Sequence, residues 1–148
     1  MMQQEAFAGA SYIVLLFDDL QRLNAAFANY NNLILYLKSK YKETRPEKMQ
    51  LEDGEKSDLH KNAGLLRYYI EVVHLKLNAL KDAADLNVEE LNKKYEEVDG
   101  YISDLEIDKV REFVIEANKV FVNSVIQDFL LKAHDIVGRM YGEGYGQQ

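Results

Sequence analysis

A chain of 148 residues with 47% hydrophobic content is sized for one domain with its own core. It contains no cysteine, which excludes disulfides, thiolate metal sites and cysteine nucleophiles. Its net charge of -7 speaks against nucleic-acid binding as the main role, because such binders present a basic face.

Apolar residues recur in steps of three and four at Ile13, Leu16, Leu20, Leu23, Phe27, Tyr30, Ile34, Leu37 and Tyr41. A period near 3.5 keeps one seam against a partner helix, as in coiled coils. The spacing predicts a first helix over 3–42, roughly 60 Å long at helical rise. Glu43, Thr44 and Arg45 end it, because the residue before Pro46 is pushed out of the helical region. A polar loop to Lys56 follows, with Gly54 as its turn point. Ser57 is the expected N-cap of a second helix and Asp58 suits its first turn. That helix carries the seam Leu59, Ala63, Leu66, Ile70, Val73, Leu77, Leu80 and Ala84. Asn87 and Glu90 have capping-box spacing and open a third helix on Val88, Leu91, Tyr95 and Val98; Gly100 should end it with a left-handed C-cap. Ser103 and Glu106 form a second such box and open a fourth helix to about Tyr141.

These elements predict an all-α, elongated antiparallel helical bundle with heptad seams. Residues 1–141 form the single domain and 142–148 a flexible glycine-rich tail. The second and third helices laid end to end match the first in length. Three rods with a broken middle arm and a four-helix up-and-down bundle therefore fit the same signals. The apolar stretch 6–17 is too short to cross a bilayer, is followed by Asp18 and Asp19, and lacks a basic leader. The expectation is a chain that is not membrane-associated, in the cytoplasm or as a virion component.

Charge is missing where a solvated helix face should carry it. Residues 1–37 hold only Glu5, Asp18, Asp19 and Arg22, and the face opposite the first seam bears Val14, Leu15, Ala25, Ala28, Leu35 and Tyr36. Asn24, Asn29, Asn31 and Asn32 fill much of the remainder. Residues 120–127 are likewise uncharged, with Asn123, Ser124 and Gln127 among apolar neighbours. The third helix has an ordinary charged surface by contrast. Uncharged apolar faces of this extent mark interfaces. The predicted interface is Val14, Leu15, Ala25, Ala28, Asn29, Asn32, Leu35 and Tyr36, with Asn123 and Gln127 beside them. The predicted function is that of a non-catalytic assembly protein, a homo-oligomer or a subunit of a larger complex, without catalytic residues or cofactors.

Few groups offer chemistry. Glu71 and His74 make one Glu-x-x-His step, but di-iron bundles need two such steps and two more glutamates, and Lys119 stands where a second histidine would belong. No metal is expected. Lys38, Lys40, Lys42 and Arg45 gather where the first helix ends, the one place where nucleic acid could be met; the preferred reading is that cations sit well at a helix C-terminus and in a solvated loop. Arg67, Glu71, His74 and Asn78 share one helical stripe. Arg67 and His74, with six residues between them, resemble the Arg-x(4–6)-His signature of the HEPN family of helical ribonucleases and nucleotide-binding partners. The resemblance covers eight residues; a polar residue often follows the arginine in that family, and Tyr68 stands here. It implies an RNA-cleaving cleft built from Arg67 and His74, commonly across a dimer. The plainer alternative is a solvated stripe in which Glu71 pairs with Arg67 or His74.

Overall fold

The computed structural model describes the backbone of residues 2–145 and the side chains of 12–81 and 85–140. The side chain of the seam position Ala84 and the whole of tail residues 146–148 lie outside what is described. Four helices account for the fold: α1 (Met2–Tyr41), α2 (Asp53–Ala84), α3 (Glu89–Ser103) and α4 (Ile107–Tyr145), with a short 3-10 turn at Pro46–Lys48. The expected tail is helical as far as Tyr145, so α4 passes through Gly142 and Gly144.

Most of the seam residues form the core, with Ile13, Phe27, Tyr41, Leu59 and Leu80 half-buried at its edge. Leu16, Leu20, Leu23, Tyr30, Ile34 and Leu37 of α1 meet Ala63, Leu66, Ile70, Val73 and Leu77 of α2, all buried. Leu91, Val98 and Ile102 of α3 and Val110, Phe113, Ala117 and Val120 of α4 complete it. Consecutive helices run antiparallel. Tyr12 donates to the Lys76 carbonyl at 3.0 Å at one end of the α1–α2 pair, and Lys40 reaches Glu55 at 2.9 Å at the other. His74 meets Asn92 while Arg67 meets Asp99, so α3 folds back along α2. The broken-arm alternative is thereby corrected: Asp85, at φ 50°, reverses the chain, and α2 and α3 form a hairpin rather than one rod.

The helix ends depart from the sequence expectation in a consistent way. α2 starts at Asp53, four residues before the expected cap Ser57. Glu52 and Glu55 form its capping box, with Glu55 accepting from the Glu52 amide at 2.9 Å. Ser103 does not cap α4; it is the last residue of α3 and its hydroxyl accepts from Arg67. Asn87 accepts from the Glu89 amide at 3.1 Å, but the capping residue itself is Val88. Gly100 lies inside α3 and does not end it. Left-handed residues close the first three helices, and none is glycine: Lys42 (φ 52°), Asp85 (φ 50°) and Leu105 (φ 58°). At α3 the Glu106 amide donates to Tyr101 at 2.9 Å and the Leu105 amide to Ile102 at 3.2 Å, the two bonds of a Schellman motif. Leu105 accepts the unfavourable conformation because its side chain is buried in the core.

An opposite pair of glycine effects follows. Lys42 is exposed, so Lys42→Gly removes left-handed strain at no packing cost and should stabilise by about 0.5 kcal/mol after glycine's entropic cost. Leu105→Gly relieves the same strain but empties a core position, and should destabilise by about 2 kcal/mol or more. Urea midpoints of the two variants check the sign of each.

Candidate functional site

The stripe Arg67–Glu71–His74–Asn78 lies along α2 where α3 packs on it, and most of its polar groups are committed to α3. Arg67 Nε donates to Asp99 at 2.6 Å and its Nη2 donates to Ser103 at 2.8 Å. His74 stacks flat on Tyr95, centroids 3.6 Å apart, and its Nε2 lies 2.7 Å from Asn92 Oδ1. That oxygen only accepts, so the Nε2–H tautomer fits. Asn92 Oδ1 also accepts from Asn78 at 2.8 Å, and Asn92 returns a bond to Asn78 Oδ1 at 3.0 Å. Asn78 further donates to the His74 carbonyl at 2.9 Å. Glu71 remains exposed and pairs with neither Arg67 nor His74.

Arg67 lines a groove of about 400 Å³ with Glu71, Tyr95, Glu96 and Asp99, between α2 and α3. His74 does not line it. The two residues of the HEPN-like spacing share a helix and have separate partners: the guanidinium is held by Asp99 and Ser103, the imidazole by Asn92 and the Tyr95 ring. Glu112 meets Lys94 and Lys109, each at 3.9 Å, rather than Glu71 and His74. Among the described residues no three His, Asp or Glu side chains come together as a metal site would require.

The basic residues after α1 are interleaved with acids. Lys40 pairs with Glu52 and Glu55, and Arg45 with Glu43. Lys38, Arg45 and Lys109 line a hollow of about 610 Å³ together with Glu47, Asp104, Glu106 and Asp108. Four carboxylates among three cations do not make the positive stripe that phosphate backbones require.

All ten predicted interface residues lie on the exterior. Val14, Leu15, Leu35 and Tyr36 are each at least half exposed, and Ala25, Ala28, Asn29 and Asn32 form the strip between them. Two other asparagines of α1 serve inside the chain. Asn24 exchanges two amide bonds with Asn118 of α4, at 3.1 and 2.9 Å, and Asn31 accepts from Arg111 at 3.3 Å. Asn123 and Gln127 of α4 share a hollow of about 290 Å³ with Asp85, Leu86 and Asn87 at the α2–α3 turn. Sequence reasoning missed a larger exposed apolar surface on α4, which includes Ile126, Phe129, Leu130 and Met140.

Two titrating groups link this architecture to pH. Burial holds the His74 imidazole below its ordinary value, with the Asn92 bond partly opposing. Tyr41's hydroxyl, the Glu52 amide and Lys40 hold the Glu55 carboxyl down at about 2. A depressed histidine contributes stability above its unfolded value near 6.5, and loses it as pH falls below that value toward the folded one. A depressed carboxylate contributes above its unfolded value near 4.5, and loses it as pH falls through about 2. Stability should therefore fall in two separate steps on acidification. In denaturation series, His74→Gln should remove the upper step and Glu55→Gln the lower. No family model, curated protein or solved structure matches the chain.

Proposed function

We propose that this chain is a non-catalytic assembly protein that associates with copies of itself through the outward face of α1. The observation carrying this reading is that α1 has two apolar faces and the bundle uses one. Leu16, Leu20, Leu23, Ile34 and Leu37 close the core, while Val14, Leu15, Leu35 and Tyr36 stand exposed on the other side. Between Arg22 and Lys38 the helix carries no charge, so its outward strip lacks the groups that keep a helix solvated. The stripe around Arg67 and His74 supports the same reading, since its polar groups are engaged in holding α2 to α3.

Leu15→Glu and Tyr36→Glu place a charge on this face without touching the core. Each should keep the helical circular dichroism of the parent and weaken association in sedimentation, because an unpaired charge at a dry interface is strongly unfavourable. A parent chain that sediments as a monomer at high concentration sinks the proposal. Unfolding by both substitutions would instead assign the face to the intramolecular core.

A further inference from the structure

The core contribution of α4 stops at Ser124, but its apolar pattern does not. As far as Ser124, residues such as Phe113, Ala117, Val120 and Ser124 itself face inward and are buried. From Val125 to Met140 no residue is buried. Yet Val122, Ile126, Phe129, Ala133, Ile136 and Met140 continue in steps of four and three. At about 100° per residue this second seam lies on the opposite side of the helix from the first. Five of its six positions are large, and Phe129 and Met140 are each 67% exposed. A heptad seam sustained over nineteen residues (122–140) is matched to another helix. It does not suit a lipid surface: interfacial helices carry Lys and Arg along the polar flank, whereas this flank alternates acid and base.

We propose that residues 122–140 of α4 pair antiparallel with the same residues of a second copy, about a two-fold axis beside Ala133. This contact rests on the reading that the chain self-assembles, and adds a surface separate from α1. The charges beside the seam select both the occupant and its direction. Asp128 pairs with Lys132 at 2.9 Å and Asp135 with Arg139 at 3.0 Å, so the segment is electrically neutral in a chain of charge -7. Like copies meet there with least repulsion. Parallel pairing would put these charges on opposite edges of the seam, where Lys132 faces the apolar Val137 of the second copy and no ion pair forms between copies. Antiparallel pairing sets Asp128 near Arg139 of the second copy and Lys132 near Asp135 of the second copy. It also brings Ile126 level with Met140 of the second copy, and the small Ala133 opposite itself, where the axes come closest. Such an isologous contact closes on itself as a dimer.

The absence of native cysteine makes a direct test possible. Ile126→Cys and Met140→Cys are prepared separately and oxidised alone and mixed, with circular dichroism confirming the helical fold of each. A disulfide-linked dimer in the mixture, with only background linkage in either variant alone, is the expected result. Self-linkage of Ile126→Cys would mean parallel pairing and overturns the proposal, as does a mixture that fails to link while both variants stay folded. The same mixture in a Leu15→Glu background separates the two surfaces. Linkage there without effect of Leu15→Glu on sedimentation sustains the α4 contact while the α1 reading fails. Weakened sedimentation by Leu15→Glu with no linkage in the parent background does the reverse.

Discussion

Phe113→Ala is expected to remove about 3–5 kcal/mol of folding stability, a large share of what a domain of this size possesses. Phe113 is fully buried on α4, and its ring lies 6.2 Å from that of Tyr95 on α3. Tyr95 in turn stacks on His74 of α2. One side chain thus backs an aromatic stack that joins three helices, and its removal leaves a cavity that rigid neighbours on separate helices fill only in part. Denaturant unfolding gives the loss, and the titration of His74 gives its location: with the backing gone, water reaches the stack and the imidazole value should rise toward the ordinary one. Ile115→Ala supplies the contrast on the same helix. Ile115 is 58% exposed, so its truncation should change stability by no more than about 0.5 kcal/mol in the isolated chain. A comparable loss at both positions would contradict the inward face assigned to α4.

The sequence was most informative where one physical rule acted alone. The seams of α1 and α2 were visible because burial selects apolar residues at one angular position, turn after turn; most of those residues are buried, while Ile13, Phe27, Tyr41, Leu59 and Leu80 are only half-buried and Ala26 is buried in addition. The ends were obscured because caps depend on one or two atoms. Glu52 and Glu55 outcompete Ser57 through a backbone bond and the Tyr41 and Lys40 contacts to Glu55, which no local pattern announces. The left-handed closures were hidden because Lys42, Asp85 and Leu105 occupy positions where glycine is the usual signal. α4 concealed its character by averaging: its first half faces apolar residues inward and its second half outward, so no single stripe runs its length. For the site, exposure of the α1 strip was readable from missing charges. The placement of Asn123 and Gln127 at the α2–α3 turn was not, because it depends on how far α4 runs beside that turn. The Arg67–His74 spacing was readable too, but not the partners Asp99, Ser103, Asn92 and Tyr95, which arrive from another helix.

Tyr30 offers a comparison that separates packing from hydrogen bonding. It is the largest fully buried side chain, on the α1 seam, and its hydroxyl donates to the Ile102 carbonyl at 2.7 Å, near the end of α3. Burial holds its ionisation well above the ordinary range, which keeps the hydroxyl protonated as a donor at neutral pH. Tyr30→Phe keeps the ring and loses the bond. The Ile102 carbonyl is not orphaned, because the Leu105 amide still donates to it in the Schellman closure. The expected cost is therefore about 1 kcal/mol, the net value of an ordinary hydrogen bond rather than that of a stranded buried acceptor. Tyr30→Ala removes the ring as well and should cost about 3–5 kcal/mol, as truncating a large aromatic side chain in a packed core does. Hydrogen exchange distinguishes the routes. Without the hydroxyl, the amides of Leu105 and Glu106 should exchange faster while those in the middle of α1 keep their protection, because the lost bond ties the α3–α4 turn to α1. Without the ring, protection should fall along α1 and α3 together. If Tyr30→Phe costs as much as Tyr30→Ala, the Ile102 carbonyl depends on the hydroxyl alone, and the closure of α3 by Leu105 does not hold it.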